Sequence, residues 1–377
     1  MAETQRRPRL MLDRSLFRIQ DLSDHRAIFI SDIHGEKDLL EALLEKVHYI
    51  PGQDTLFLLG DLIEKGRASL ETLRWVMTLA RNERVIVLKG NNDEAEQLLE
   101  DKIPLPMKLG YLRTRRSLIS EMARAQGVTI DEKTDFSALR RRLTEAYAAE
   151  FAFLRNLPLI AAGPGYAAVH SSLQDAQDLT NNDPRLILKD NDFLLKSSVK
   201  FPYPVIVGHM PTVALSDRQG NCGVHFLKDR NILAIDGGCG MHAHGQLNAL
   251  IVQNGNFRQF QTASADRLPR LRVLADQAGT PEDQQVFVRY FESEIEVVGE
   301  NNEFLRVRHK ATQRLLEIPR SALRMIEGKS HCFNSTSCWL ALRQGEEVAV
   351  IQTYADRSFC KMNGQLGWVA NAVLETR

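Results

Sequence analysis

Three short apolar runs between residues 27 and 94 each stop on polar residues. Ala27-Ile-Phe-Ile-Ser31 leads into Asp32-Ile-His34-Gly35, Asp54-Thr-Leu-Phe-Leu-Leu59 into Gly60-Asp61, and Arg84-Val-Ile-Val-Leu-Lys89 into Gly90-Asn91-Asn92-Asp93. Runs this short and this rich in branched residues predict strands. Between them the apolar period changes. Leu39, Leu40, Leu43, Leu44 and Val47 share one helical face, and Leu70, Leu73, Met77 and Ala80 another. Strands alternating with amphipathic helices predict helices crossing a mostly parallel sheet. Sheets of that kind place their sites at the carboxyl ends of the strands.

Residues 94–157 turn helical and charged. Helices are expected over 115–126 and 136–156, the second with Leu139, Leu143, Ala146, Phe151 and Leu154 inward and Pro158 as its stop. This segment is expected to form a cap beside the sheet. Its arginines, Arg113, Arg115, Arg116 and Arg140 to Arg142, read as a solvated helix face, with contact to a phosphate as the alternative. Strand patterns return at Tyr166-Ala-Ala-Val169 before His170, at Pro204-Val-Ile-Val-Gly208 before His209, and at Asn231-Ile-Leu-Ala-Ile235 before Asp236-Gly-Gly-Cys-Gly240. In that last loop Cys239 reads as a buried structural thiol, with no base fixed beside it in sequence. His242 and His244 read as surface residues, or alternatively as proton donors.

After residue 261 the composition shifts. Residues 262–283 are polar, contain Pro269 and Pro281, and predict a linker. Short alternating strands fill 284–377, where 295–323 can be laid faintly against 348–374. The expected organisation is a leader (1–26), a catalytic domain (27–261) with its cap (94–157), a linker, and a β-rich region.

Composition narrows the class. A chain of 377 residues suits two or three domains. Its 48 basic and 48 acidic residues cancel, which disfavours nucleic acid or an anionic membrane as partner. Five cysteines, an odd number without a CxxC pair, suit a reducing cytoplasm. No apolar run approaches the ~18 residues of a membrane span, and the basic start lacks the apolar centre of a signal peptide.

The strand-end residues suggest metal chemistry. Asp32 and His34, two apart, can reach one ion from an extended turn; Asp61 has two oxygens with which to bridge two ions; Asn91 offers a neutral oxygen to the second. Two metals about 3.5 to 4 Å apart can generate a hydroxide near neutral pH and clamp the oxygens of an in-line displacement at phosphorus.

Asp32-x-His34, Gly60-Asp61-x-x-x-x-Gly66 and Gly90-Asn91-x-Asp93 resemble the signature of the calcineurin-like metallophosphoesterases, most closely the phosphoprotein phosphatase branch that includes the symmetrical diadenosine tetraphosphatases. The resemblance covers residues 27–252. It implies a metallophosphoesterase β-sandwich flanked by helices (αββα), and it assigns His170 and His209 to the second ion with Asp61 and Asn91. Mn is the metal expected, with Fe, Zn and Co as alternatives. Residues 345–369, with Gly367-Trp368 closing a hairpin, resemble a bacterial Src-homology-3-like barrel, and one or two such barrels are expected in the tail, where a protein partner is an option.

The chain departs from the branch at three positions. Asn92 stands where a histidine serves as general acid, Lys65 where an arginine grips phosphate, and Glu64 where an aspartate precedes it. Lysine keeps the charge but loses the bidentate fork. The function implied is a dinuclear metal-dependent phosphoesterase acting on a phosphoprotein, with a nucleotide or dinucleoside polyphosphate as the alternative substrate. A non-catalytic metal-binding sensor with a recruiting tail is the alternative from another class.

Overall fold

The computed structural model describes residues 12–376 and divides into two compact units. The first holds the described residues up to Met210, then Val224–Met241 and Leu247–Ala265; the second holds Pro211–Gly223, His242–Gln246 and the chain from Asp266.

Two sheets make the first unit. Strands β1 (Phe17–Ile19), β2 (Arg26–Ile30), β3 (Thr55–Leu58), β4 (Val85–Val87), β5 (Ile160–Gly163), β6 (Tyr166–Val169), β7 (Val205–Val207), β8 (His225–Leu227), β9 (Ile232–Ala234), β10 (Leu247–Gln253) and β11 (Phe260–Ala265) sort into the orders β11-β10-β2-β3-β4 and β1-β5-β6-β7-β9-β8. The pairs β2-β3, β3-β4, β6-β7 and β7-β9 are parallel, while β10 runs antiparallel to β2.

Period-2 geometry explains why β2 and β3 are apolar on both faces after their first residues, Arg26 and Thr55. Ile28, Ile30, Leu56 and Leu58 pack into one core with Leu40 and Leu43 of α1 (Lys37–Lys46) and Leu73 and Val76 of α2 (Ser69–Leu79). Their neighbours Phe29 and Phe57 point the other way, into a core with Tyr166, Ile206 and Leu233 of the second sheet. The two phenylalanine rings stack at 4.4 Å, and Tyr166 meets both edge-on at 6.0 Å. Phe57→Ala would open this interface at a cost of roughly 3–5 kcal/mol. The architecture is therefore an αββα sandwich, with additional all-β sheets in the C-terminal part.

The cap contains α3 (Leu105–Thr114), α4 (Leu118–Ala125), α5 (Phe136–Ala146) and α6 (Ala148–Arg155). The long helix expected over 136–156 is two helices, because Tyr147 takes φ −124° and ψ 34° between them. Its buried ring and its hydroxyl, donating to Met122 O at 3.3 Å, hold that break. Glu121 of α4 caps α2, accepting from the N–H groups of Ser69 (2.9 Å) and Leu70 (2.8 Å).

Two expected boundaries come out differently. The first eleven residues of the leader lie outside the described residues, but 17–19 form β1, paired in parallel with β5. The segment read as a linker supplies structure at both ends. Its residues 262–265 continue β11 against β10, and Arg270–Arg272 pairs with Glu347–Thr353 in the second unit. Both are outer strands of their sheets, so polar side chains on the open side disguised them as loop.

The second unit is β throughout, apart from single 3₁₀ turns. Ile295–Glu300, Phe304–His309 and Leu315–Pro319 form a three-stranded antiparallel sheet; Arg270–Arg272, Glu347–Thr353, Arg357–Met362 and Gln365–Ala370 form a four-stranded one. Each has its own small apolar core, around Val307 and Ile318 in one and around Val348 and Val369 in the other. Trp368 is buried, its indole N–H donating to Thr336 O at 2.7 Å. The excursion 211–223 is stitched in by Cys222 N–H to Gly364 O and Leu366 N–H to Gly220 O, each 2.8 Å. The tip 242–246 is held by buried Lys361, whose ammonium donates to His244 O at 2.8 Å and pairs with Asp266 at 2.9 Å.

Candidate metal centre

The three parallel strands of the first sheet each pass at the carboxyl end into a tight turn: β2 into Asp32 and His34, β3 into Asp61, β4 through Gly90 into Asn91 and Asn92. The main chain there is left-handed. Asp32, His34 and Asp61 have φ of 56°, 49° and 54°, and Glu64, Lys65 and His209 follow at 71°, 67° and 68°. Such backbone costs roughly 1–3 kcal/mol per residue and persists only where the surroundings over-determine it.

Asp93 supplies much of that restraint. Its buried carboxylate accepts from the N–H groups of Gly90 (2.8 Å), Asp61 (2.9 Å) and Leu62 (2.8 Å), clamping the ends of β3 and β4 together. Gly90 permits the approach, since a Cβ there would stand 2.2 Å from Asp61 N and 2.3 Å from Asp61 Oδ1. Gly208 does the same on the other side, where a Cβ would meet Asp32 Oδ2 at 2.3 Å.

Asp32, His34 and Asp61 each aim one ligand atom into a common space, all within 4.8 Å of one another and all buried. His34 Nε2 lies 3.9 Å from Asp32 Oδ1 and 3.6 Å from Asp61 Oδ2. The other oxygen of Asp61 lies 3.4 Å from His170 Nε2, which is 3.2 Å from Asn91 Oδ1. Asp61 thus stands between two groups with one oxygen toward each. His209 is placed differently: its main-chain N–H donates to Asp32 Oδ2 at 2.9 Å and its ring lies 5.2 Å from that of His170, but its Nε2 meets Asn191 Oδ1 at 3.0 Å.

The donor set fits divalent cations. His34 Nδ1 is 3.2 Å from Ile63 O and His170 Nδ1 is 2.8 Å from Leu59 O, so each ring places its proton on Nδ1 and turns a bare Nε2 inward. His170 Nε2, Asp61 Oδ1 and Asn91 Oδ1 converge there, a set of ligand atoms that a cation can take. Asp32 Oδ1 and Asp236 Oδ2 are buried with no hydrogen-bond partner among the described residues. Burial and the Asp32 charge push the Asp236 carboxyl well above its usual range. Burial would also raise Asp61, but His170, His34 and Lys65 together hold it well below. Buried carboxylates stacked this closely are stable only when neutralised or bound to metal.

Lys65 and Asn92 occupy the rim. The Lys65 ammonium donates to His34 Nε2 at 3.0 Å and lies 3.6 Å from Met241 Sδ. Asn92 binds Asp61 twice, through its main-chain N–H to Oδ1 at 2.8 Å and through its side-chain amide to Oδ2. Glu64 does not face position 92. Its carboxylate accepts from Tyr111 Oη and from Leu118 N–H of the cap, each at 2.8 Å, and burial pushes it up to about 7.

Asn191 and Tyr111 are neighbours of the candidate site that the sequence did not single out, whereas Asp93 was marked only as the last residue of its motif. Cys239 is buried, its thiol 3.8 Å from Ile33 O. His242 and His244 belong to the second unit, with rings stacked at 4.9 Å. Burial pushes His244 down to about 3, which leaves it neutral and a poor acid at ordinary pH.

Residues 25–244, more than half the chain, match the calcineurin-like phosphoesterase family. The chain belongs to that family. Over 64 residues it is 50% identical to the symmetrical bis(5'-nucleosyl)-tetraphosphatase of Cronobacter sakazakii and 48% identical to that of Escherichia coli, matches that cover 17% of this chain and 22% of each relative. The chain therefore spans under a quarter of the length of these relatives. Among solved structures it is similar to one provisionally assigned as a diadenosine tetraphosphatase (TM-score 0.45, 18% identity, 67% of this chain and 98% of that one). It is also similar to a protein serine/threonine phosphatase from Saccharomyces cerevisiae with similarity to human phosphatase PP5 (TM-score 0.38, 12% identity, 66% and 81%).

Proposed function

We propose that this protein is a dinuclear metal-dependent phosphoester hydrolase whose substrates are phosphoanhydrides of the nucleotide or dinucleoside polyphosphate class. Asp32, His34 and Asp61 would hold one ion, and Asp61, Asn91, His170 and His209 the other. Mn is the expected occupant, while Fe, Zn and Co suit the same nitrogen and oxygen donors. Two divalent ions there supply Lewis-acid polarisation of a phosphoryl oxygen and a lowered pKa for water.

The observation that carries the substrate class is Asn92. Its side-chain amide, which donates to Asp61 Oδ2, cannot hand a proton to a leaving group. A phosphate expelled from an anhydride departs as a weakly basic anion and needs none, whereas a serine alkoxide does. Lys65, at 3.0 Å from His34, sets a positive charge beside the first ion group. Its own N–H donates to Arg116 O at 2.9 Å, so the exposed Arg115 and Arg116 of the cap stand next to it and can meet the remaining phosphates of a polyphosphate chain. The phosphoprotein first expected would use the same metal chemistry but would need a proton for its leaving oxygen that Asn92 cannot give. The five cysteines are buried and none is in a disulfide, which supports a reducing compartment. Among the described residues no helix is long and apolar enough to cross a membrane.

The test is a side-by-side assay of diadenosine tetraphosphate and a phosphoserine peptide with Mn supplied. Faster cleavage of the anhydride supports the reading. Faster cleavage of the peptide overturns the substrate class, and turnover of neither, with metal bound, favours the sensor.

A further inference from the structure

The second unit carries a groove that the hydrolase chemistry leaves unused. Two cavities of about 240 and 590 Å³ adjoin, sharing Leu315, Ser337 and Trp339 in their walls. Along one side runs Leu315–Pro319, the outer strand of the three-stranded sheet. His309 N–H bonds Arg314 O and Arg320 N–H bonds Glu303 O at the two ends of its ladder. The alternation between those bonds turns the main-chain groups of Leu315 and Glu317 outward, away from the neighbouring strand. Leu315 is 41% exposed, and half-buried Trp339 offers an aromatic surface beside it.

The walls are basic. Arg306 and Arg357 line the smaller cavity and Arg308 and Arg314 the larger, against Glu317 as their one acidic residue. Arg357 is already committed: it pairs with Glu317 at 2.8 Å and lies 4.0 Å over the Phe304 ring. Arg308 approaches Glu296 only at 3.8 Å, and both are substantially exposed. Arg314 spends one N–H on Asp283 O. Arg306, on the adjacent strand, is exposed beside the cavity. The groove therefore keeps net positive charge on a chain whose total is zero.

We propose that this groove binds an extended acidic peptide from a partner protein. The outer strand presents main-chain donors and acceptors that a second strand can match; Leu315, Arg306 and Arg308 share one face of the sheet, so every second side chain of that strand would face them, apolar where it meets Leu315 and Trp339 and acidic where it meets Arg306, Arg308 and Arg314. A single nucleic-acid strand would find the charge and the ring but would leave the strand edge unpaired and would meet Glu317.

The 377-residue chain would be titrated into a fluorescein-labelled peptide whose every second residue is by turns leucine and glutamate, with threonine between, beside the same peptide with glutamine for glutamate, and the polarisation followed. The acidic peptide should bind at least about tenfold more tightly and weaken as salt rises. Arg306→Glu, an exposed change that leaves the fold alone, should cost the acidic peptide about tenfold and the glutamine peptide far less. Trp339→Ala, in protein whose melting temperature is unchanged, should weaken both peptides. Equal binding of the two peptides, indifference to Arg306→Glu, or stronger binding of a short oligothymidylate would each overturn the proposal.

Discussion

The hydroxyl of Tyr111 donates to Glu64 Oε2 at 2.8 Å, and this bond faces Glu64 toward the cap instead of toward position 92. A histidine introduced at 92 would find Glu64 turned away, and the Asp61 carboxylate beside it shared with His34 and His170. Asn92→His alone should therefore raise turnover of alkyl phosphate esters only slightly. Asn92→His with Tyr111→Phe, which releases one oxygen of Glu64, should raise it further, toward the 10²- to 10⁴-fold that a positioned general acid typically contributes. Aryl phosphates, which leave without a proton, should gain little from either change, and the ratio of alkyl to aryl kcat reads the effect.

Removing the residue between the two ion groups should be severe. Asp61→Asn is expected to lower bound Mn and to reduce turnover by about 10³-fold or more, whereas Cys239→Ser should leave metal content and turnover near wild type. Equal damage from both would contradict the placement of Asp61. Metal analysis of each purified variant, with and without chelator, is the measurement.

Glycine substitutions separate crowding from backbone strain. Gly90 has φ −102°, open to any residue, so Gly90→Ala acts only through the collision of its Cβ with Asp61. It should behave like loss of a ligand, with metal and turnover falling together. Gly165 has φ +79° and nothing within 4 Å of a new Cβ. Gly165→Ala should cost about 1–2 kcal/mol of stability through its left-handed backbone and leave turnover intact.

The parts of this protein that could be read from sequence are those where local pattern and local chemistry coincide. Asp32, His34, Asp61 and Asn91 each end an apolar run that is buried on both faces, so strand and candidate ligand announce one another. What depends on distant contacts was not visible. Asn191 reaches the His209 ring from a segment with no periodicity, Tyr111 finds Glu64 across 47 residues, and the break at Tyr147 is a tertiary choice inside a continuous helical pattern. β1 was hidden because its three residues are partly or fully exposed, the burial expected of an outer strand. The excursions 211–223 and 242–246, which join the second unit, gave no compositional sign at all.

Those excursions change what truncation should do. A chain ended at Ala265 leaves residues 211–223 without Gly364 and Leu366, and the tip 242–246 without Lys361. Turnover of a small aryl phosphate is expected to fall by more than tenfold, about 1.4 kcal/mol of barrier, even though no proposed ion-binding residue has been removed. Retention of full turnover by the shortened chain would show that the catalytic sheets need no help from the tail.

Glu64 gives the metal-free protein a pH signature. Its carboxyl, ordinarily near 4.5, is pushed up to about 7 by burial. The folded chain keeps this proton across a window in which the unfolded chain has released it, so stability from this group is present below the lower value and is lost as pH rises through the upper. In chelated protein Glu64→Gln should be no more stable than wild type below about pH 4 and more stable by up to about 3 kcal/mol above about pH 8. Thermal denaturation at the two pH values measures it; an equal difference at both would remove Glu64 as the cause.

The left-handed main chain at Asp32, His34, Asp61 and His209 has one further implication, for the alphabet from which this site can be written. A carboxylate one methylene longer than Asp carries the same oxygens, and a cysteine binds many of the same ions. Neither is at ease with positive φ, whereas Asp and His are among the few side chains enriched there. The turns at the strand ends thus weigh on the choice of ligand ahead of coordination chemistry: Glu64 and Lys65 hold positive φ in the same stretch at the cost of strain that their surroundings must offset, and a redesign that swapped ligands by donor atom alone would add that cost before any ion arrived.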